Sequence, residues 1–220
     1  GVKGIFGQVM AEYTLTWLLY SERQVRRHIS AKHWDDRTDG SLFGKAIGIM
    51  GTGSIGIEVA RYLKIFGMHI RGLNSDGRTI EYFDQCYSFE NRLEFAQGLD
   101  YVLALLPDTP ATNNAVDSLL LEELNPGAVL INAGRGNSVC IENVIAALQS
   151  GDLAHAVLDV LEEEPLADID PLWEIENLTV TSHTAAPSMD EPIVGVFCDN
   201  YHRYHRGEDL QHLIDFEKGY

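Results

Sequence analysis

The short aliphatic run Ile47–Met50 leads directly into Gly51-Thr52-Gly53-Ser54-Ile55-Gly56, and behind the last glycine Val59, Leu63 and Phe66 recur at helical spacing. A strand, a glycine-rich turn and a helix in immediate succession leave few folds open. Gly51 permits the tight turn, Gly53 lets backbone approach a diphosphate, and Gly56 lets the helix lie close against the strand. Ser54 and Ile55 open the helix, where unpaired N–H groups and the positive end of the helix dipole favour an anion. A glycine turn that holds no ligand is the competing reading.

Around this unit the chain alternates short apolar runs with helical stretches. Strands are predicted at Ala46–Met50, Met68–Leu73, Tyr101–Leu106, Ala128–Asn132, Ala154–Asp159 and Leu178–Ser182, with helices near 55–66, 91–97, 117–124 and 141–149. Continuous apolar strands alternating with helices imply a parallel sheet covered on both faces. Asn125-Pro126-Gly127 and Ser150-Gly151-Asp152 supply turns, and a last helix is expected around 189–205, after Pro187. Ahead of the sheet, Met10, Leu15, Leu18, Leu19, Val25 and Ile29 predict one long helix over 8–31. Its apolar residues lie on more than one face, which suits either core packing or contact with another subunit or domain.

Composition narrows the class of partner. The 220 residues include 33 acidic and 16 basic side chains, a formal net charge of −17, which argues against nucleic acid or an anionic membrane as the main partner. Apolar residues at 45% supply a core, and the length suits one large domain or one domain with an appendage. Cys86, Cys140 and Cys198 are scattered and odd in number, so neither a disulfide framework nor a metal site is expected. No apolar run approaches the roughly 20 residues of a membrane helix. A soluble, cytoplasmic protein is the expectation.

The second strand of such a sheet ends at the residue that reads the adenosine ribose. That position falls on Asn74, which is neutral and is followed by Ser75 and Arg78. Together these three suit a 2′-phosphate, so NADP(H) is favoured over NAD(H); Asp76 is the competing acidic reader. Three further segments end strands. Ala133-Gly134-Arg135-Gly136 places a guanidinium, able to grip a carboxylate and a carbonyl oxygen, between glycines. Leu158-Asp159 leads into the acidic run Glu162-Glu163-Glu164. Thr181-Ser182-His183 is followed by Ala185 and Ala186.

The segments GTGSIG (51–56), LLPDTPAT (105–112), LNPGAVLINAGRGNSV (124–139), LDVLEEEPL (158–166) and TSHTAA (181–186) together resemble the D-isomer-specific 2-hydroxyacid dehydrogenases, in particular their glyoxylate/hydroxypyruvate reductase branch. The resemblance implies an α/β fold with a Rossmann-type doubly wound parallel sheet. It implies hydride transfer between NAD(P)H and a small 2-oxo acid, with Arg135, Glu164 and His183 as the catalytic set. Asp159 would lie near the nicotinamide carboxamide and Leu106-Pro107 would flank the adenosine, with Thr112, Ala133, Gly134 and Ala185 also among the cofactor-binding residues. Leu161 and Ser182 stand where Phe and Pro are usual, and Ser75 where branch members using NADP(H) commonly carry Arg.

By the same resemblance residues 1–40 are an inter-domain and dimerisation segment, with a homodimer through 8–31. Residues 41–186 are the dinucleotide-binding domain, and 187–220 return to a substrate domain whose greater part precedes Gly1. Phe197, Tyr201 and Tyr204 are then expected to be exposed. Corepressors of related fold, acting as nucleotide-sensing binding proteins, are the alternative function.

Overall fold

The computed structural model describes residues 2–214. Among these, one sheet holds seven parallel strands: β1 (Ala46–Met50), β2 (His69–Asn74), β3 (Gln85–Ser88), β4 (Tyr101–Ala104), β5 (Ala128–Asn132), β6 (Leu153–Leu158) and β7 (Leu178–Val180). Their order is β3-β2-β1-β4-β5-β6-β7, so the chain builds outward from β1 to β3, returns to lay β4 beside β1, and continues to β7. Ile47 therefore pairs with Ile70 on one side and Tyr101 on the other. This is the Rossmann-type doubly wound arrangement, and its strand order reverses between β1 and β4, where such sheets open a ligand crevice at their carboxyl edge.

The helices are α1 (Gly7–Glu22), α2 (Val25–Ser30), α3 (Ser54–Ile65), α4 (Arg92–Ala96), α5 (Ser118–Glu122), α6 (Ile141–Ser150) and α7 (Asp190–Arg206). Strand residues alternate between two cores, as the pleat requires. Ile47, Ile49, Leu103, Ile131 and Val157 pack with Met10, Leu18, Val59 and Leu63 of α1 and α3. Val102, Ala104, Leu130 and Ala156 pack with Phe95, Leu120 and Val144 of α4, α5 and α6. Burial on both faces explains why these strands read as unbroken apolar runs.

Two expectations change. The helix expected over 8–31 is interrupted: Gln24 takes a left-handed conformation (φ 47°), its N–H bonding the Ser21 carbonyl and its side chain donating to the same oxygen at 2.9 Å. The apolar spacing runs on through Val25 and Ile29, so periodicity alone hides the break. Strand β3, four residues at the sheet edge, was not expected; it is too short and too mixed to show a period. Several strand ends also shift, β2 closing on Asn74 and β4 on Ala104.

Helix α7 carries no buried residue among those described, and Phe197, Tyr201 and Tyr204 are exposed. Its own sequence supports it, with Asp190 and Glu191 in the first turn, Arg203, His205 and Arg206 in the last, and left-handed Gly207 at its end. No helix among the described residues is long and apolar enough to cross a membrane.

Candidate active site

The glycine turn and the segments carrying Asn74, Leu106, Arg135, Glu164 and His183 all follow strands of the parallel sheet and lie at its carboxyl edge. Beyond the strand ends the backbone ladder continues: Gly51 N–H bonds Leu73 O, Leu105 N–H bonds Met50 O, Ala133 N–H bonds Ala104 O, Asp159 N–H bonds Asn132 O, and Thr181 N–H bonds Leu158 O. The loops thus leave the sheet side by side.

The turn after β1 fits a dinucleotide diphosphate. Gly51 has φ +106°, and a Cβ on Gly56 would lie 2.1 Å from the Gly51 carbonyl oxygen, so no larger residue lets α3 start this close to the strand. A Cβ on Gly53 would meet nothing within 4 Å, which leaves the outer side of the turn open. No side chain caps α3, and its first backbone-bonded N–H is that of Ile57, to Gly53 O. The N–H groups of Ser54, Ile55 and Gly56 have no partner among the described residues and lie at the positive end of the helix dipole.

The loop after β2 corrects one expectation. Asn74 does not present its amide to a ligand. Its Nδ2 donates to Thr52 Oγ1 (3.3 Å) and Arg78 O (3.0 Å), and its Oδ1 accepts from Asp76 N–H (3.3 Å) and Gly77 N–H (2.6 Å). An Asx turn consumes the side chain and ties this loop to the glycine turn. Ser75 and Arg78 remain exposed, with Arg78 Nη1 3.0 Å from both carboxylate oxygens of Asp76. Hydrogen bonds from Arg78, with its charge, hold Asp76 below the usual carboxylate range.

After β4, Leu106 is buried and Pro107 partly so. The Thr112 hydroxyl donates to Pro107 O at 2.6 Å and accepts from Thr109 N–H at 3.1 Å, so it shapes this loop from within. After β5, buried Asn132 receives Gly134 N–H (3.2 Å) and donates to Arg135 O (3.1 Å), an oxygen that also accepts the Ser138 hydroxyl (2.7 Å). These two residues, missed in the sequence reading, hold the backbone of Arg135. The Arg135 side chain is exposed, donates to Gly134 O (2.7 Å) and forms no ion pair among the described residues. A Cβ on Gly136 would lie 1.9 Å from the Leu161 carbonyl carbon. That close approach brings the arginine loop against the one carrying Glu164.

Glu164 Oε1 accepts Leu161 N–H at 2.9 Å, and Oε2 lies 2.8 Å from His183 Nδ1. Partial burial opposes ionisation of Glu164, but the His183 bond, the Leu161 N–H and the charges of His183 and Arg135 together hold its carboxyl below the ordinary range. An ionised carboxylate only accepts, so His183 Nδ1 carries the donated proton. The ring's Nε2 makes no hydrogen bond among the described residues. Guanidinium, carboxylate and imidazole, distant in sequence, thus form one electrostatically coupled group. Buried Asp159 lies beneath it, accepting from Thr184 N–H (2.8 Å) and Ala185 N–H (3.1 Å).

The model of the NAD binding domain of D-isomer specific 2-hydroxyacid dehydrogenases matches residues 15–185. The chain belongs to that family. Glyoxylate/hydroxypyruvate reductase A of Serratia proteamaculans is 30% identical over 218 residues, 97% of this chain and 69% of that protein. The crystal structure of a D-isomer specific 2-hydroxyacid dehydrogenase family protein from Aeromonas salmonicida is 37% identical, with a TM-score of 0.90 over 98% of this chain and 70% of that one. The NADPH-dependent glyoxylate/hydroxypyruvate reductase of Sinorhizobium meliloti, solved with NADP and sulfate, is 30% identical, with a TM-score of 0.93 over 100% of this chain and 72% of that one. As a 2-hydroxyacid dehydrogenase the protein is an oxidoreductase that uses NAD(P), and the scaffold reading is not favoured.

Proposed function

We propose that this dehydrogenase reduces short 2-oxo acids of the glyoxylate and hydroxypyruvate kind, with NADPH preferred to NADH. The observation that carries the reading is the 2.8 Å His183–Glu164 pair with Arg135, which forms no ion pair among the described residues, all at the sheet edge that also carries the glycine turn. The bound nicotinamide supplies the hydride when a 2-oxo acid is reduced. Arg135 anchors the substrate carboxylate and stabilises charge developing on the carbonyl oxygen. His183, protonated, gives its Nε2 proton to that oxygen as general acid. Glu164 fixes the ring and its tautomer through Nδ1. Gly53, Ser54, Ile55 and Gly56 hold the diphosphate, and Leu106, Pro107 and Ala133 border the cofactor.

The NADPH preference rests on the loop after β2. Asn74 is neutral and turned inward, and the charge of Asp76 is offset by Arg78. Ser75 and Arg78 then stand as the exposed donors for a 2′-phosphate. In support, the similar reductase of Sinorhizobium meliloti is described as NADPH-dependent. Fluorescence titration of Arg78→Ala with both cofactors tests this. NADPH binding should weaken about tenfold, one charged contact's worth, with NADH nearly unaffected; equal losses would refute the preference. A homodimer through residues 8–31 belongs to the same reading, supported by Ile29 and the following Trp34, which are 72% and 93% exposed.

A further inference from the structure

His183 sits in a loop of unusual shape. Ser182 and His183 are consecutive non-glycine residues with φ of 55° and 58°, a left-handed conformation that persists only where the surroundings impose it. The restraints converge on Asp159. Its main-chain carbonyl accepts His183 N–H at 2.6 Å. Its carboxylate accepts Thr184 N–H, Ala185 N–H and, at 2.6 Å, the Thr181 hydroxyl. Asp159 is 3% exposed and has no basic partner among the described residues, so N–H and O–H donors alone carry its charge.

One of those donors reaches back across the molecule. Thr181 Oγ1 lies 2.7 Å from the phenol oxygen of Tyr13, on α1 and 168 residues earlier. Thr181 has a single hydroxyl proton and gives it to a carboxylate that can only accept, so Tyr13 must donate to Thr181. The chain of donors then has one direction, from Tyr13 to Thr181 to Asp159, and each link polarises the next. Burial, with Asp159 nearby, raises the Tyr13 phenol well above its ordinary range despite the bond to Thr181, so it remains a donor at working pH. Its ring is fixed edge-on against Trp17, with centroids 6.2 Å apart.

We propose that Tyr13 is a positioning residue for the reaction, setting the loop that carries His183 through Thr181 and Asp159. The inference rests on the proposed role of His183 as general acid. Tyr13→Phe keeps the ring and removes only the hydroxyl. It should lower kcat for glyoxylate reduction with NADPH roughly fivefold to tenfold, leaving KM for glyoxylate and Kd for NADPH within about twofold. Thr181→Val should reproduce the loss, and Thr181→Ser, which keeps the hydroxyl, should recover most of it. In a His183→Asn background Tyr13→Phe should cost nothing more, because its effect passes through the missing imidazole. An unchanged kcat in Tyr13→Phe, alongside a large loss in His183→Asn, would overturn the positioning role alone. The same fractional loss with and without His183 would also overturn it, as general loosening. Full turnover in His183→Asn would overturn the general-acid assignment and this inference with it.

Discussion

A surface imidazole serves as a directed proton donor only when something fixes its tautomer, and in the proposed mechanism Glu164 does so through Nδ1. Its two oxygens serve different partners, Leu161 N–H and His183 Nδ1–H. Glu164→Gln offers one carbonyl oxygen for two donors, so one of them must face an amide N–H₂. Glu164→Gln should therefore lower kcat for reduction by about tenfold with Kd for NADPH within about twofold, which steady-state rates beside a cofactor titration read directly. An unchanged kcat would contradict the role. That Arg135, Glu164 and His183 would lie at one edge of the sheet was legible in the sequence because each follows the end of a predicted strand. Asn74 was misleading for a related reason: its place after β2 was right, but an Asx turn depends on the local backbone path, which residue types do not specify.

At the scale of elements, α1 is joined to the far half of the sheet by polar contacts that no local pattern announces. Besides Tyr13, Ser21 meets His155 Nδ1 at 3.2 Å, while Nε2 of the same ring meets Thr179 on β7 at 2.9 Å. Burial, with Arg26 nearby, pushes His155 down to about 4. In the unfolded chain this ring protonates near pH 6.5, so between those values the unfolded state binds more protons and stability falls as pH drops. From pH 7 to pH 5 the loss should be on the order of 2 kcal/mol. Urea midpoints should show it in the wild type and not in His155→Gln, and equal slopes would contradict the assignment. Spacing within a strand cannot reveal such cross-sheet partners, and it missed β3 and the break at Gln24 as well. What it read well were the two-face-buried strands, whose composition is dictated by the two cores.

For the whole molecule, a parallel sheet with one reversal of strand order brings six separate loops to one edge, and the chemistry follows from that gathering. The proposed pairing of subunits lies on α1, α2 and the segment holding Trp34. If it is correct, Ile29→Asp with Trp34→Ser should shift sedimentation from dimer to monomer, and an unchanged dimer would place the contact elsewhere. The most direct test of the account is the rate of glyoxylate reduction by His183→Asn with NADPH already saturating, beside a titration of the cofactor. The convergence of Arg135, Glu164 and His183 predicts a fall in kcat of roughly a hundredfold or more with NADPH affinity intact. Turnover at the wild-type rate would contradict it.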